Sequence, residues 1–332
     1  MKIVIKTFVK GGNHGQYLQA LGTHKVFRDL FPNAHIFLFD YENHFTSELL
    51  SQIKNLTVFK FLWMRYLWKK SFKFTKNSAD VDIVVYGSDM IWYSGSNMFP
   101  LDREYFGIND KCQIKIAFSP SAGTLSNSYP SWLTNQKPVM DMCFPRDNNT
   151  LKFTHRYIAV PESNIVEHFD PCLYLDRQPI SMKHRRPVVT VYAYYAASKV
   201  FTKAVHNLKI EYYAYYPKYR GLLYLRSQFT GPNSLLDKIG SSNLLITSTF
   251  HGVMMALLTK TPFILIGENP TVRTRLEGIV SVCFDGRRII YLQDLSEVLE
   301  KSENWLYRND DINLEGLEKV KTIVKAKILS FV

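Results

Sequence analysis

Short apolar runs alternate with helical stretches along almost the whole chain, and several close in glycine, serine or aspartate. Val4–Val9 reads as a strand. It runs into the loop Gly11-Gly12-Asn13-His14-Gly15 and a helix with Leu18, Leu21, Val26 and Leu30 roughly on one face. Strand His35–Phe39 comes next, then a helical piece at Leu49–Ile53 and a strand at Leu56–Phe61. Ile83–Tyr86 ends in Gly87-Ser88-Asp89, Ile114–Phe118 ends in Ser119-Pro120-Ser121-Ala122-Gly123, and Met140–Phe144 leads to Arg146-Asp147. Tyr157–Val160 reads as another strand, ahead of a short helix. This alternation predicts an α/β fold with a parallel sheet covered on both faces. In such sheets the loops at the carboxyl ends of the strands build the site.

The pattern breaks between Asp170-Pro171 and the basic cluster Lys183-His184-Arg185-Arg186, then restarts. Strand Pro187–Tyr192, helix Lys199–Leu208 and strand Ile210–Tyr215 are followed by a short helix to Ile239 capped by Asn233. Strand Leu244–Thr247, helix His251–Leu258, and strands Phe263–Ile266 and Val280–Phe284 complete a second unit. Helical segments Leu295–Tyr307 and Leu314–Leu329 close the chain. At 332 residues there is enough chain for two cores. The expected architecture is two Rossmann-like domains facing a cleft, a GT-B-like arrangement. Residues 1–172 form the N-terminal domain, read as the acceptor side; 173–186 form a linker; 187–332 form the C-terminal domain with its closing helices.

The net charge of +12 favours anionic partners such as phosphorylated donors, acidic glycans, anionic lipid surfaces or nucleic acid, without choosing among them. Cys112, Cys143, Cys172 and Cys283 lie far apart, with no metal-ligand spacing, so reduced buried thiols are expected. Met1-Lys2-Ile3-Val4-Ile5-Lys6 reads directly as a strand and lacks the apolar region of a signal peptide. No run approaches a membrane span. The expectation is a cytoplasmic protein, peripheral at most to the inner face of a membrane. Aromatic residues reach 14%, which fits either carbohydrate handling or a biased genome.

Six motifs carry candidate chemistry. Gly12, Asn13, His14 and Gly15 bring backbone close to a ligand at a helix N-terminus, or form a plain tight turn. Asp89, after Gly87-Ser88, is either a carboxylate at the sheet edge or a helix cap. Ser121 and Gly123 lie in a loop of small residues, which makes room for a ligand or simply turns the chain. Arg146 after a parallel strand is suited to a carboxylate or phosphate, or pairs with Asp147. Arg273 and Arg275 offer further anion contacts or a solvated surface. In Thr247-Ser248-Thr249-Phe250-His251-Gly252, a buried strand ends in hydroxyls and a histidine meets the start of an apolar helix. A helix N-terminus lowers an imidazole's pKa and suits it to acid–base work near neutrality, so His251 is the sharpest candidate.

Taken in order, these pieces resemble the polysaccharide pyruvyl transferase family. The matching run is Gly12 to Gly15, Asp82 to Trp92, Ala117 to Gly123, Arg146-Asp147, Asp170-Pro171, Thr247 to Gly252 and Pro262-Phe263-Ile264, spanning roughly residues 10 to 285. The resemblance implies a GT-B-like fold and phosphoenolpyruvate as donor. The pyruvyl group would pass to a sugar of a cell-surface glycan or its lipid-linked precursor as a ketal, with no metal or redox cofactor. It implies His251 as acid or base and Arg146 as donor ligand, and Asp89 is read as a second catalytic candidate. Ser248, Thr249, Gly252, Arg273 and Arg275 would complete the donor pocket, with Ser88 in the acceptor loops. Two positions depart from the family pattern: Gln16 replaces an acidic residue, and Thr249 stands where several members carry arginine.

Two rival readings share these residues. A GT-B glycosyltransferase using a nucleotide sugar would have the same domains, but Glu268 is the only obvious ribose-binding acid. A non-enzymatic basic module would bind acidic glycan or an anionic membrane. Phe59–Lys76 mixes Trp63, Tyr66 and Trp68 with six basic residues, which suits an anionic bilayer surface or an ordinary helix packed on the sheet. No nucleic-acid motif accompanies it, and the oligomeric state is left open.

Overall fold

A computed structural model describes residues 1–41, 58–94, 101–126, 129–176, 186–193, 198–214, 229–267, 289–300 and 314–332. The first sheet contains β1 (Lys2–Lys6), β2 (His35–Phe39), β3 (Phe74–Thr75), β4 (Val81–Tyr86), β5 (Cys112–Phe118) and β6 (Met142–Phe144). Its order is β3-β2-β1-β4-β5-β6, and every neighbouring pair is parallel. The second contains β7 (Arg186–Tyr192), β8 (Ile210–Ala214), β9 (Ser242–Thr247), β10 (Phe263–Ile266) and β11 (Ile289–Ile290), in the parallel order β11-β10-β9-β7-β8. Ile3 to Ile5, Ile83 to Tyr86 and Phe263 to Ile266 are buried without alternation, as strands covered on both faces require. Strand order reverses between β1 and β4, and again between β7 and β9. Doubly wound sheets open a crevice at such points.

The helices begin where short polar side chains take up the free amides of the first turn. Asn13 caps α1 (His14–Leu30), accepting from the Gly15 amide at 2.8 Å. Asp147 caps α3 (Asn148–Tyr157), which follows α2 (Val58–Ser71) in the chain. Ser198 caps α4 (Lys199–Ala204), and Gly231 with Pro232 at the first helical position opens α5 (Pro232–Ser241). Thr249 caps α6 (Phe250–Thr259). Helices α7 (Leu295–Glu300) and α8 (Leu314–Phe331) follow. One apolar layer joins the two sheets: Tyr17 and Leu18 of α1, Leu235 and Ile239 of α5, Val253 and Leu257 of α6, and Leu317, Val324 and Ile328 of α8. Among the described residues, no helix is long and apolar enough to cross a membrane.

Several expectations need correction. The stretch read as a strand at Leu56–Phe61 is helical from Val58, because Phe61, Met64 and Trp68 fall on one buried face. Tyr157 ends α3, and Tyr157–Val160 makes only an isolated bridge, Val139 to Ala159. Asn233 lies inside α5, whose cap is Gly231. Helix α4 stops at Ala204, and the first strand ends at Lys6 rather than Val9. The segments Leu49–Ile53 and Val280–Phe284, residues 177–185 of the expected linker and residues 301–307 of the expected helix Leu295–Tyr307 lie outside the described residues. Leu173 and Tyr174, just before 177–185, are buried in a 3-10 turn.

Candidate active site

The loops after β1 and β4 flank the crevice of the first sheet. Thr7 Oγ1 donates to the Ser88 carbonyl at 2.7 Å and ties them together. Gly87 has φ of 126°, and a Cβ there would overlap the Phe118 carbonyl, so only glycine fits. The turn that follows aims Asp89, whose Oδ1 accepts from the Met90 amide at 2.8 Å. Its carbonyl accepts from the Ser121 amide at 2.8 Å, bringing the loop after β5 alongside. Ser121 Oγ donates to Asp147 Oδ2 at 2.7 Å, and the Gly123 amide donates to Ser121 Oγ at 3.2 Å. Ser88 Oγ is buried and has no hydrogen-bond partner among the described residues.

Arg146 leaves the end of β6 and lies at the centre of these loops, almost wholly buried. Its Nη1 donates to Asp170 Oδ2 at 3.0 Å, and Nη2 is 3.8 Å from Asp89 Oδ1. Asp170 also accepts from Gln19 and from the Cys172 amide, so a fully buried carboxylate is satisfied from three sides. Among the described residues, Nε and Nη2 of Arg146 are buried and have no hydrogen-bond partner. A guanidinium with two nitrogens that make no hydrogen bond among the described residues, one of them facing Asp89 at ion-pair range, is an open position for an oxygen anion.

The second domain supplies the opposite wall. Thr247 Oγ1 donates to the Tyr192 carbonyl at 2.7 Å, which fixes the end of β9 on β7. Thr249 Oγ1 accepts from the Gly252 amide at 2.9 Å as the cap of α6. Phe250 and His251 are therefore the first residues of that helix. The Phe250 ring stacks beneath Arg146, with its centroid 4.9 Å from the guanidinium carbon. A Cβ on Gly15 would overlap the His251 ring, so the N-termini of α1 and α6 meet with no side chain between them. His14 bridges the same junction, its Nε2 donating to the Thr230 carbonyl at 2.7 Å. The positive ends of two helix dipoles thus converge beside Arg146 and His251.

Burial sets the titration of the groups around this junction. His14 is pushed well below 6.5, first by burial and then by the charge of Lys60. Lys60 falls to about 8 through burial alone. The sequence places Lys60 among surface charges of α2, whereas the fold buries it near His14.

Glycines 12 and 15, Asn13, Ser88, Asp89, Ser121, Gly123, Arg146, Ser248, Thr249, His251 and Gly252 all come to the carboxyl edges of the two sheets. The hydroxyls of Ser121 and Thr249 are committed to bonds that hold the loops. Arg273 and Arg275 lie outside the described residues. Sequence reasoning gives no role to Gln19, counts Lys60 only among the basic residues of Phe59–Lys76, and places Asp170-Pro171 in the family-matching run just before the expected linker. The pair Asp170-Pro171 was a usable signal, since aspartate before proline caps a helical turn, here Pro171–Tyr174.

A comparison with curated protein sequences returns no match. Among solved structures the chain is similar to a functionally uncharacterised protein of Klebsiella pneumoniae at 14% identity. That match covers 87% of this chain and 92% of the other, with a TM-score of 0.50. It is also similar to a putative UDP-N-acetylglucosamine 2-epimerase of Listeria monocytogenes at 9% identity, over 99% and 96% of the two chains, with a TM-score of 0.50. These likenesses concern the fold, two Rossmann-like domains in a GT-B-like arrangement. The family model for polysaccharide pyruvyl transferase matches residues 13–270, from the cap of α1 past the end of β10. The chain therefore belongs to the polysaccharide pyruvyl transferase family, a family of transferases.

Proposed function

We propose that the protein transfers the pyruvyl group of phosphoenolpyruvate onto a sugar of a cell-surface polysaccharide, or of its lipid-linked precursor, as a ketal. The observation that carries this reading is Arg146, buried with Nε and Nη2 making no hydrogen bond among the described residues, between Asp89 and the helix that presents His251. Asp170 balances the charge of Arg146, so a polyanionic donor draws also on the two helix N-termini and on Lys60. In this reading Arg146 holds the donor carboxylate or phosphate. Asp89 and His251 exchange protons with the reactants, with no metal or redox cofactor.

The reaction balances on those groups. A sugar hydroxyl gives its proton to the base as its oxygen bonds to C2 of phosphoenolpyruvate, and the acid delivers one proton to the C3 methylene, which becomes a methyl group. The bond from C2 to the phosphate oxygen then breaks, and inorganic phosphate leaves. A second hydroxyl of the same sugar bonds to C2 and closes the ring, its proton passing through the base to phosphate.

Thermal shift tests donor choice directly. A ligand that binds only the native state raises the melting temperature, by an amount equivalent to about 2.7 kcal/mol at a hundred times its dissociation constant. Phosphoenolpyruvate should raise the midpoint of the wild type and do so far less for Arg146→Lys, which keeps the charge but loses the fork. A shift with uridine diphosphate and none with phosphoenolpyruvate would overturn the reading.

A further inference from the structure

Helix α2 buries Phe61, Met64 and Trp68 and turns its other face to solvent. That face carries Phe59 (61% exposed), Leu62 (48%), Trp63 (38%) and Tyr66 (54%), an apolar stripe at helical spacing. Phe229, also 61% exposed, extends the stripe from the second domain, its ring 6.0 Å from that of Phe59. Trp63 and Tyr66 stack with centroids 5.4 Å apart. Large apolar side chains left together in water mark a contact surface.

The same face continues into Lys69 and Lys70, both exposed. Beneath them opens a cavity of about 450 Å³ lined by His24, Arg28, His35, Lys69, Lys70 and Lys73, with no carboxylate in its wall among the described residues. Besides the buried Lys60, five basic residues and no acidic one lie between Val58 and Lys76. Aromatic insertion beside concentrated positive charge matches an interface with anionic lipid: tryptophan and tyrosine rings sit at headgroup depth, and lysines attract the surface. A protein partner or a second copy of this chain would need acidic residues opposite these lysines, and this face offers none of its own.

We infer that the exposed face of α2, with Phe229 and the basic cavity, docks the protein on an anionic bilayer, the cavity taking a phospholipid headgroup. Helix α2 also backs the active-site loop, Trp68 Nε1 donating to the Gly11 carbonyl at 3.2 Å. Docking therefore holds the rim of the catalytic crevice at the lipid surface. The inference does not depend on which donor the enzyme uses.

The test is co-sedimentation of the full chain with vesicles of phosphatidylcholine alone, or of phosphatidylcholine containing roughly one-quarter phosphatidylglycerol. The wild type should bind the anionic vesicles and not the neutral ones, and release them as salt rises. Lys69→Gln with Lys70→Gln should weaken binding about 25-fold, from about 1 kcal/mol per basic residue at roughly 1.4 kcal/mol per tenfold. Phe59→Ser with Tyr66→Ser should weaken it at least tenfold with the melting temperature held, since both side chains stand in solvent. Equal binding to both vesicles, or undiminished binding by either variant, would overturn the inference. So would a wild type that ignores vesicles but dimerises through this face, with monomeric variants.

Discussion

Gly15→Ala places one methyl group where the two domains touch. Gly15 is in the first turn of α1, where alanine would otherwise favour the helix by up to about 1 kcal/mol. Its new Cβ, however, would stand 2.6 Å from the Cβ of His251 and overlap the ring beyond it. Overpacking of this kind costs about 1–3 kcal/mol, so the net effect on stability is a loss of about 1 kcal/mol and a melting temperature lower by a few degrees. The catalytic effect should be much larger. The collision is relieved by moving His251, and displacement of an acting group by about 1 Å can cost about a hundredfold in rate. Gly12→Ala is the control, because its Cβ meets only Phe61 Cα at 3.8 Å, an ordinary contact. Calorimetry and steady-state kinetics on both variants give the comparison. The reasoning fails if Gly15→Ala keeps wild-type turnover, or loses activity only in proportion to its unfolded fraction.

Four further outcomes follow from the same geometry. Arg146→Ala strands Asp170 in a buried site and should cost about 3–5 kcal/mol, read as a large drop in urea midpoint, whereas Arg146→Lys folds and mainly raises the KM for the donor. Thr249→Ala removes the cap of α6 and should cost about 1 kcal/mol in the same urea titration. His168 is buried, and burial lowers its pKa to about 3. An unfolded imidazole titrates near 6.5, so the stability from this neutral ring is complete above about 6.5 and is lost as pH falls towards 3. His14, also lowered by burial, acts in the same direction. Unfolding free energy should therefore decline from pH 7 to pH 4, with a shallower slope for His168→Gln. Cys143 is raised to about 12 by burial and Cys172 well above 9, so a thiol reagent near neutral pH should modify Cys112, which is half-buried, before either of them.

Much of the fold was legible because parallel strands covered on both faces leave a plain mark, an apolar run closed by small residues. His35–Phe39 and Phe263–Ile266 are read to the residue for that reason. Helix α2 was misread at its start because Phe59, Leu62 and Trp63 are exposed, which blurs the periodicity that Phe61, Met64 and Trp68 would otherwise show. Asn233 is a good capping residue in isolation, but Pro232 takes the first helical position and moves the cap back to Gly231. At the site, residues near strand ends were visible from spacing. Asp170 was visible as part of the Asp170-Pro171 motif, but its pairing with Arg146 was not, nor was Gln19, because each depends on a partner far away in the chain. Phe250 reads as the residue before an apolar helix, and only the docking of two domains sets it under a guanidinium.

The central claim is most directly tested by following inorganic phosphate released from phosphoenolpyruvate. The assay would include galactose-, glucose- and mannose-containing acceptors, both free and lipid-linked, with wild type and His251→Ala side by side. The account predicts release that requires an acceptor, is abolished in the variant, and yields a saccharide heavier by one pyruvylidene group. No release with any acceptor, from a wild type whose melting temperature rises with a nucleotide sugar, would contradict it.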